Sequence, residues 1–201
     1  HVPNARRLSV GLEQNRLAML LAVLNRHAQP DALARLYDEG ILLWEHSAGG
    51  ARHTMELKYP FSFDHPDRKD DYEGDLLLVF SVDGCPCFAS SFTFMPLAVG
   101  ELRPADGSAL FIGRLQGVGR DFDQLREATR ALGDVAPRDL LWQAIEGIAQ
   151  ALGIRHALGI SNDSHVIGQV RSGTGLAFDY DAYWQALGGI RTTQPMYLLR
   201  L

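Results

Sequence analysis

Hydrophobic positions change their period twice along this chain, from helical spacing to near-continuous apolar runs and back again, and that order predicts most of its elements. Asn15 to His27 carries Leu17, Leu20, Leu21 and Leu24 at helical spacing, and Pro30 closes the pattern. A shorter helix is expected from Asp31, a side chain suited to an N-cap, to Glu39, with Gly40 as its stop. Ile41 to His46 and Thr54 to Tyr59 then read as the two arms of a hairpin turning around Gly49 and Gly50. His65 to Gly74, rich in Asp, Pro and Lys, reads as a surface loop.

The β signal is strongest next. Asp75 to Val82 is nearly all apolar, Asp83-Gly84 is a two-residue turn of the kind hairpins prefer, and Cys87 to Met95 returns with Phe88, Ser90, Phe92 and Phe94 on one face. Ala109 to Leu115 follows as a third strand of the meander. Helical periodicity resumes in Phe122 to Leu132 and in Arg138 to Leu152, where Leu141, Ala144, Ile145, Ile148, Ala149 and Leu152 form one stripe. Pro137 suits the first turn of that second helix and Gly153 its end. Arg155 to Ser161 reads as a short buried strand, Asp181 to Leu187 as a helix closed by Gly188-Gly189, and Met196 to Leu201 as a final strand. With no internal repeat and no interdomain linker, residues 1–201 are expected to form a single α/β domain of mixed α+β type. Its central, mostly antiparallel sheet would be flanked by helices, with residues 1–40 as a helical N-terminal part.

Composition narrows the function classes. The 201 residues carry a formal net charge of -5 and 46% hydrophobic content, which fits a folded core and shows no basic stripe for DNA or an anionic membrane. No run approaches the roughly 20 apolar residues of a membrane span. Cys85 and Cys87 are the only cysteines, one residue apart on a predicted strand, where they are poorly placed to bridge each other. A reducing, cytoplasmic compartment is therefore expected. The start, His1-Val2-Pro3-Asn4, has no initiator Met and reads as an internal start, which leaves open a piece of a larger biosynthetic enzyme.

Several segments in order resemble the VirK/YbjX family of bacterial proteins. They are Phe92-Thr93-Phe94, the run Phe111-Ile112-Gly113-Arg114-Leu115-Gln116-Gly117, Ser161-Asn162-Asp163-Ser164-His165, and Asp179-Tyr180-Asp181-Ala182-Tyr183-Trp184 with Gly188-Gly189. The resemblance is best over residues 75–201. It implies an association with virulence and with envelope stress, and no settled biochemical activity. Arg114 stands where a second Gly is common in the family, and the chain is shorter than typical members.

The element order also resembles the GNAT acyltransferases, in which a strand meander leads through a glycine-rich loop to a helix, a strand, a helix and a last strand. Arg114-Leu115-Gln116-Gly117-Val118-Gly119 resembles their loop pattern, where glycines let the backbone approach a pyrophosphate and offer it N–H groups. The extra helix Phe122 to Leu132 departs from that pattern. The GNAT-like resemblance implies an acyl- or aminoacyltransferase, with Arg114, Gln116, Gly117, Gly119 and Asn162 lining a donor site. His165 would be the base, with Tyr180 and Asp181 in the Asp-Tyr-Asp run supplying an acid for a leaving thiolate. The donor implied is an acyl-CoA or another activated acyl species acting as co-substrate, with no tightly bound cofactor, and the acceptor is a small-molecule or peptide amine. A tRNA-linked donor fits the acidic balance poorly.

Each of these residues also has a plain structural reading. The glycines can make a simple turn, and Gln116 can satisfy a neighbouring group. His165 can cap a turn, while Asp179 or Asp181 can be a helix N-cap with Tyr180 packed behind it. Trp184 reads as core or pocket wall. The remaining histidines show no metal-ligand spacing, no Gly-x-Ser-x-Gly elbow occurs, and the lone C-x-C offers too few ligands for a metal. The alternative to an enzyme is a virulence or envelope-stress factor that binds a peptide or protein partner through the meander face.

Overall fold

The computed structural model describes residue 36 and residues 39–59, 74–96, 107–118, 122–164 and 178–201. The helix expected over residues 15–27, most of that over 31–39, and the loop expected over 65–73 lie outside them. Strands β1 (Ile41–Ala48) and β2 (Ala51–Lys58) form the first hairpin, each reaching further toward the Gly49-Gly50 turn than the apolar pattern alone marked. Strands β3 (Leu76–Val82), β4 (Cys85–Pro96) and β5 (Ser108–Gly117) complete an antiparallel meander. The β3–β4 turn has positive φ at both central residues, 49° at Asp83 and 79° at Gly84, as the twist of a tight hairpin requires. The Asp83 carboxylate accepts from the Arg52 N–H at 2.8 Å and so ties the turn to β2.

Helices α1 (Phe122–Ala131) and α2 (Pro137–Ala151) then carry the chain across to β6 (His156–Ile160). A single 3-10 turn (Asn162–Ser164), helix α3 (Tyr180–Ala186), the two-residue strand β7 (Ile190–Arg191) and β8 (Met196–Arg200) follow. Among the described residues the sheet has eight strands in the order β1-β2-β3-β4-β5-β6-β8-β7. Every neighbouring pair is antiparallel except β5 and β6. The fold is thus mixed α+β with a mostly antiparallel central sheet, and two helices separate β5 from β6. The sequence pattern did not mark β7 or the 3-10 turn, because two- and three-residue elements are too short to show a period.

Pro137 opens α2 at the first helical position, where its missing N–H has no helical acceptor to lose. The apolar stripe of α2 puts Leu141, Trp142, Ile145 and Ala149 into the core against β3, β4 and β5. All seven residues of β3 are buried, so the middle of the meander is covered on both faces. Among the described residues no helix is long and apolar enough to cross a membrane.

Candidate active site

The parallel ladder between β5 and β6 is short. It joins Leu110, Phe111 and Ile112 to Ala157, Leu158 and Gly159. β6 ends at Ile160, whereas β5 runs on to Gly117. At the parting point β5 also bulges: Phe92 of β4 pairs with Ile112, and its neighbour Ser91 pairs with Arg114, which leaves Gly113 as the extra residue. A bulge resets the alternation of faces. Ile112 therefore shares a face with Phe92, while Arg114 and Gln116 share the opposite one with Ser91 and Ala89. A glycine inside a strand signals such a bulge, so Gly113 carried a mark that periodicity by itself did not use.

Arg114 is buried, at 3% exposure. With its amide turned to satisfy both ends, Gln116 accepts from Arg114 Nε at 2.7 Å and Nη2 at 3.1 Å. Gln116 is thus a holder of the arginine. Ser90 Oγ donates to the Arg114 carbonyl at 3.0 Å on the far side of the bulge. At Gly117 an added Cβ would meet the Cys87 carbonyl and Leu125 Cδ1 only at ordinary contact distance. Gly119 and His165 lie outside the described residues.

Where β6 has left β5, a tyrosine reaches the strand. The Leu115 N–H donates to Tyr180 Oη at 3.0 Å, across 65 positions of sequence. Tyr180 is 3% exposed and sits in the first turn of α3. Asn162, two residues past the end of β6, sets that turn in place through three bonds. Its Oδ1 accepts from Tyr180 N–H at 2.8 Å, its Nδ2 donates to Asp179 Oδ1 at 2.8 Å, and its own N–H donates to Asp181 Oδ1 at 2.9 Å. Asp179 is the N-cap of α3 and accepts from Ala182 N–H. Arg191 then bridges Asp181 at 3.1 Å and Asp163 at 2.7 Å.

The N-cap and the amide of Asn162 together hold the Asp179 carboxyl below the usual carboxylate range, the Ala182 N–H contributing most. A depressed pKa stabilises the fold above the unfolded-state value and loses that contribution as pH falls through the folded one. Asn162→Ala is expected to lower stability by about 1–2 kcal/mol, for lost hydrogen bonds at a partly solvated turn. It should also flatten the acid limb of a thermal-unfolding series below pH 5 or so, because Asp179 then keeps only its backbone donors. An unchanged acid limb would show that the amide contributes nothing to the carboxylate.

Behind this turn lies an aromatic group. Trp184 packs against Trp142, Tyr183 and Tyr180, and its indole N–H donates to the Ile160 carbonyl at 2.8 Å. Burial first, and then the charge of Asp139 at 3.2 Å, pushes the Tyr183 phenol up from its usual range, so it stays protonated at α2. Of the sequence-predicted site residues, then, Arg114 and Gln116 meet each other, and Asn162, Tyr180 and Asp181 form a second group. The β5 backbone joins the two. The Leu115 N–H and Arg191 were not anticipated, since a backbone donor and a lone surface arginine carry no motif.

The family model described as "Protein of unknown function (DUF535)" matches residues 5–201. The chain belongs to that family. The expected VirK/YbjX likeness is met by the "Uncharacterized protein YbjX" of Escherichia coli (strain K12), 26% identical over 156 residues. That match takes in 75% of this DUF535 chain and 43% of the relative, so it spans less than half the length of the curated relative. Among solved structures, a mutant AtaT toxin bound to the C-terminus of the antitoxin AtaR and acetyl-CoA aligns with a TM-score of 0.42 at 12% identity. The alignment covers 74% of the DUF535 chain and 92% of the toxin chain.

Proposed function

We propose that this chain is a GNAT-like acyltransferase that moves an acyl or aminoacyl group from a thioester or similarly activated donor to an amine. The observation that carries the reading is the end of the parallel ladder, where β5 runs on past its bulge and meets a tyrosine hydroxyl in place of a strand. Ligands of open sheets bind beyond the carboxyl ends of strands at a switch in topology. An extended, amide-bearing ligand added along β5 would take over the Leu115 N–H from Tyr180 Oη, as in strand addition at a sheet edge. An acyl-CoA arm has that chemistry.

In this reading Gly117 and Gly119 let the loop after β5 approach the donor phosphates, with Arg114 held by Gln116 beside it. The acceptor amine loses a proton to His165 and attacks the acyl carbonyl. The C–N bond forms, the C–S bond breaks, and the leaving thiolate takes a proton from Tyr180. Asn162 and Asp181 orient the turn that carries the tyrosine.

The test is thermal unfolding with thioester donors. A donor at about 100 times its Kd should add about 2.7 kcal/mol by binding linkage. That raises the Tm by about 5–10 °C for a chain of this size. Gly117→Ala should keep the shift, because its Cβ finds atoms no closer than 3.9 Å. Gly117→Trp should abolish it by filling the approach. Absence of any shift across acyl-CoA donors would remove CoA thioesters as substrates.

A further inference from the structure

Ser161 stands between the last residue of β6 and the 3-10 turn, and it is 0% exposed. Its main chain is fully used: the N–H donates to the Pro195 carbonyl at 3.2 Å, and the carbonyl accepts from Ser164 N–H at 3.1 Å. A serine at the head of such a turn ordinarily caps it by accepting with Oγ from an N–H two or three residues on. Here the Ser164 N–H goes to the Ser161 carbonyl instead, and Asn162 N–H goes to Asp181. The hydroxyl is therefore released from capping, and Ser161 Oγ has no hydrogen-bond partner. Ser164 Oγ, at the end of the 3-10 turn, has none either. A buried hydroxyl without a partner destabilises a fold, so that of Ser161 calls for a reason. Among the described residues, the other orphaned side-chain atoms belong to His53 of β2 and Ser91 of β4.

We infer that Ser161 is a ligand-contacting residue whose hydroxyl donates to a carbonyl oxygen of the acyl donor. The inference rests on the transferase reading above and deepens it. Ser161 follows the carboxyl end of the one strand parallel to β5, and the neighbouring Asn162 holds Tyr180 against the β5 backbone. A donor laid along β5 beyond Ile112 passes this corner. Two kinds of carbonyl in a pantetheine-type thioester can take the bond: the acyl carbonyl, whose oxygen gains charge as the amine attacks, or one of the two amide carbonyls of the arm.

The experiment compares wild type with Ser161→Ala and Ser161→Cys in thermal unfolding, each without ligand, with acetyl-CoA and with free CoA. Without ligand, Ser161→Ala should melt at or above the wild-type temperature, since no hydrogen bond is lost and a buried polar group is removed. Its affinity for acetyl-CoA should fall about tenfold, the usual worth of one well-placed hydrogen bond. Ser161→Cys, with a weaker donor of similar size, should fall between. Loss confined to acetyl-CoA identifies the acyl carbonyl, and equal loss for free CoA identifies the arm. Wild-type affinity for both ligands in Ser161→Ala overturns the inference and leaves the transferase reading standing. So does an unliganded Ser161→Ala that melts well below wild type, which would make the hydroxyl structural. A wild type that responds to neither ligand takes down the donor reading and this assignment together.

Discussion

Replacing Trp184 with alanine is expected to cost about 3–5 kcal/mol of folding stability, the range for deleting a large buried aromatic side chain. The side chain is 0% exposed and is one of the largest fully buried groups in the chain. It joins three layers: Trp142 of α2 at 5.8 Å between ring centroids, Tyr183 of α3 at 5.2 Å, and the end of β6 through its bond to the Ile160 carbonyl. Removing it opens a cavity under α3 and strips that carbonyl of its donor. For a chain of this length the Tm should fall by on the order of 10 °C. Trp184→Phe keeps most of the packing and loses the indole N–H, so it should cost about 1–2 kcal/mol. Urea unfolding of the two variants separates the packing contribution from the hydrogen bond. A Trp184→Ala midpoint close to wild type would mean that α3 is not docked as described. The same variant bears on function, because α3 carries Tyr180 and would release it from β5.

Gly159→Ala is the second large effect expected. A Cβ on Gly159 would stand 2.4 Å from Trp184 Cε2 and 2.7 Å from Cδ2 and Nε1, in the middle of the indole. The ring is locked by its own bond to Ile160, and the backbone of β6 is locked on both sides by β5 and β8. Neither can give way cheaply, so overpacking should cost about 1–3 kcal/mol. The origin of the cost predicts strong coupling. In a Trp184→Ala background the added methyl enters the vacated space, and the double variant should be close to Trp184→Ala alone in stability. Additive losses would show that Gly159 is needed for its backbone, with no part played by the indole.

Much of this architecture is legible in the sequence. The meander, the Asp83-Gly84 turn, the start of α2 at Pro137 and the strand-helix-strand ending all follow from local signals. Each arises within a few residues, through side-chain period, fixed φ at proline or tolerance of positive φ at glycine. The N-cap role open to Asp179 is of the same local kind, and it is the one the structure shows. The sequence also singled out Asn162 and Tyr180 as candidate site residues and Trp184 as core or pocket wall, and the structure buries Trp184 in the core.

What those residues touch is another matter. Tyr180 meets Leu115 across 65 positions, and Trp184 meets Ile160 across 24. Nothing in a local period encodes which backbone N–H will lie beside a distant phenol. The bulge at Gly113 is a middle case: the glycine is visible, but the flip of Arg114 onto the Ser91 face exists only once β4 is paired alongside. Gly159 likewise reads as one more small residue in a buried strand until the indole lies over it. The chain's own order determined which elements form and in what succession. Only tertiary packing decided that β6 runs parallel to β5 and parts from it after Ile112, because strand pairing is a long-range choice made by the burial of whole faces.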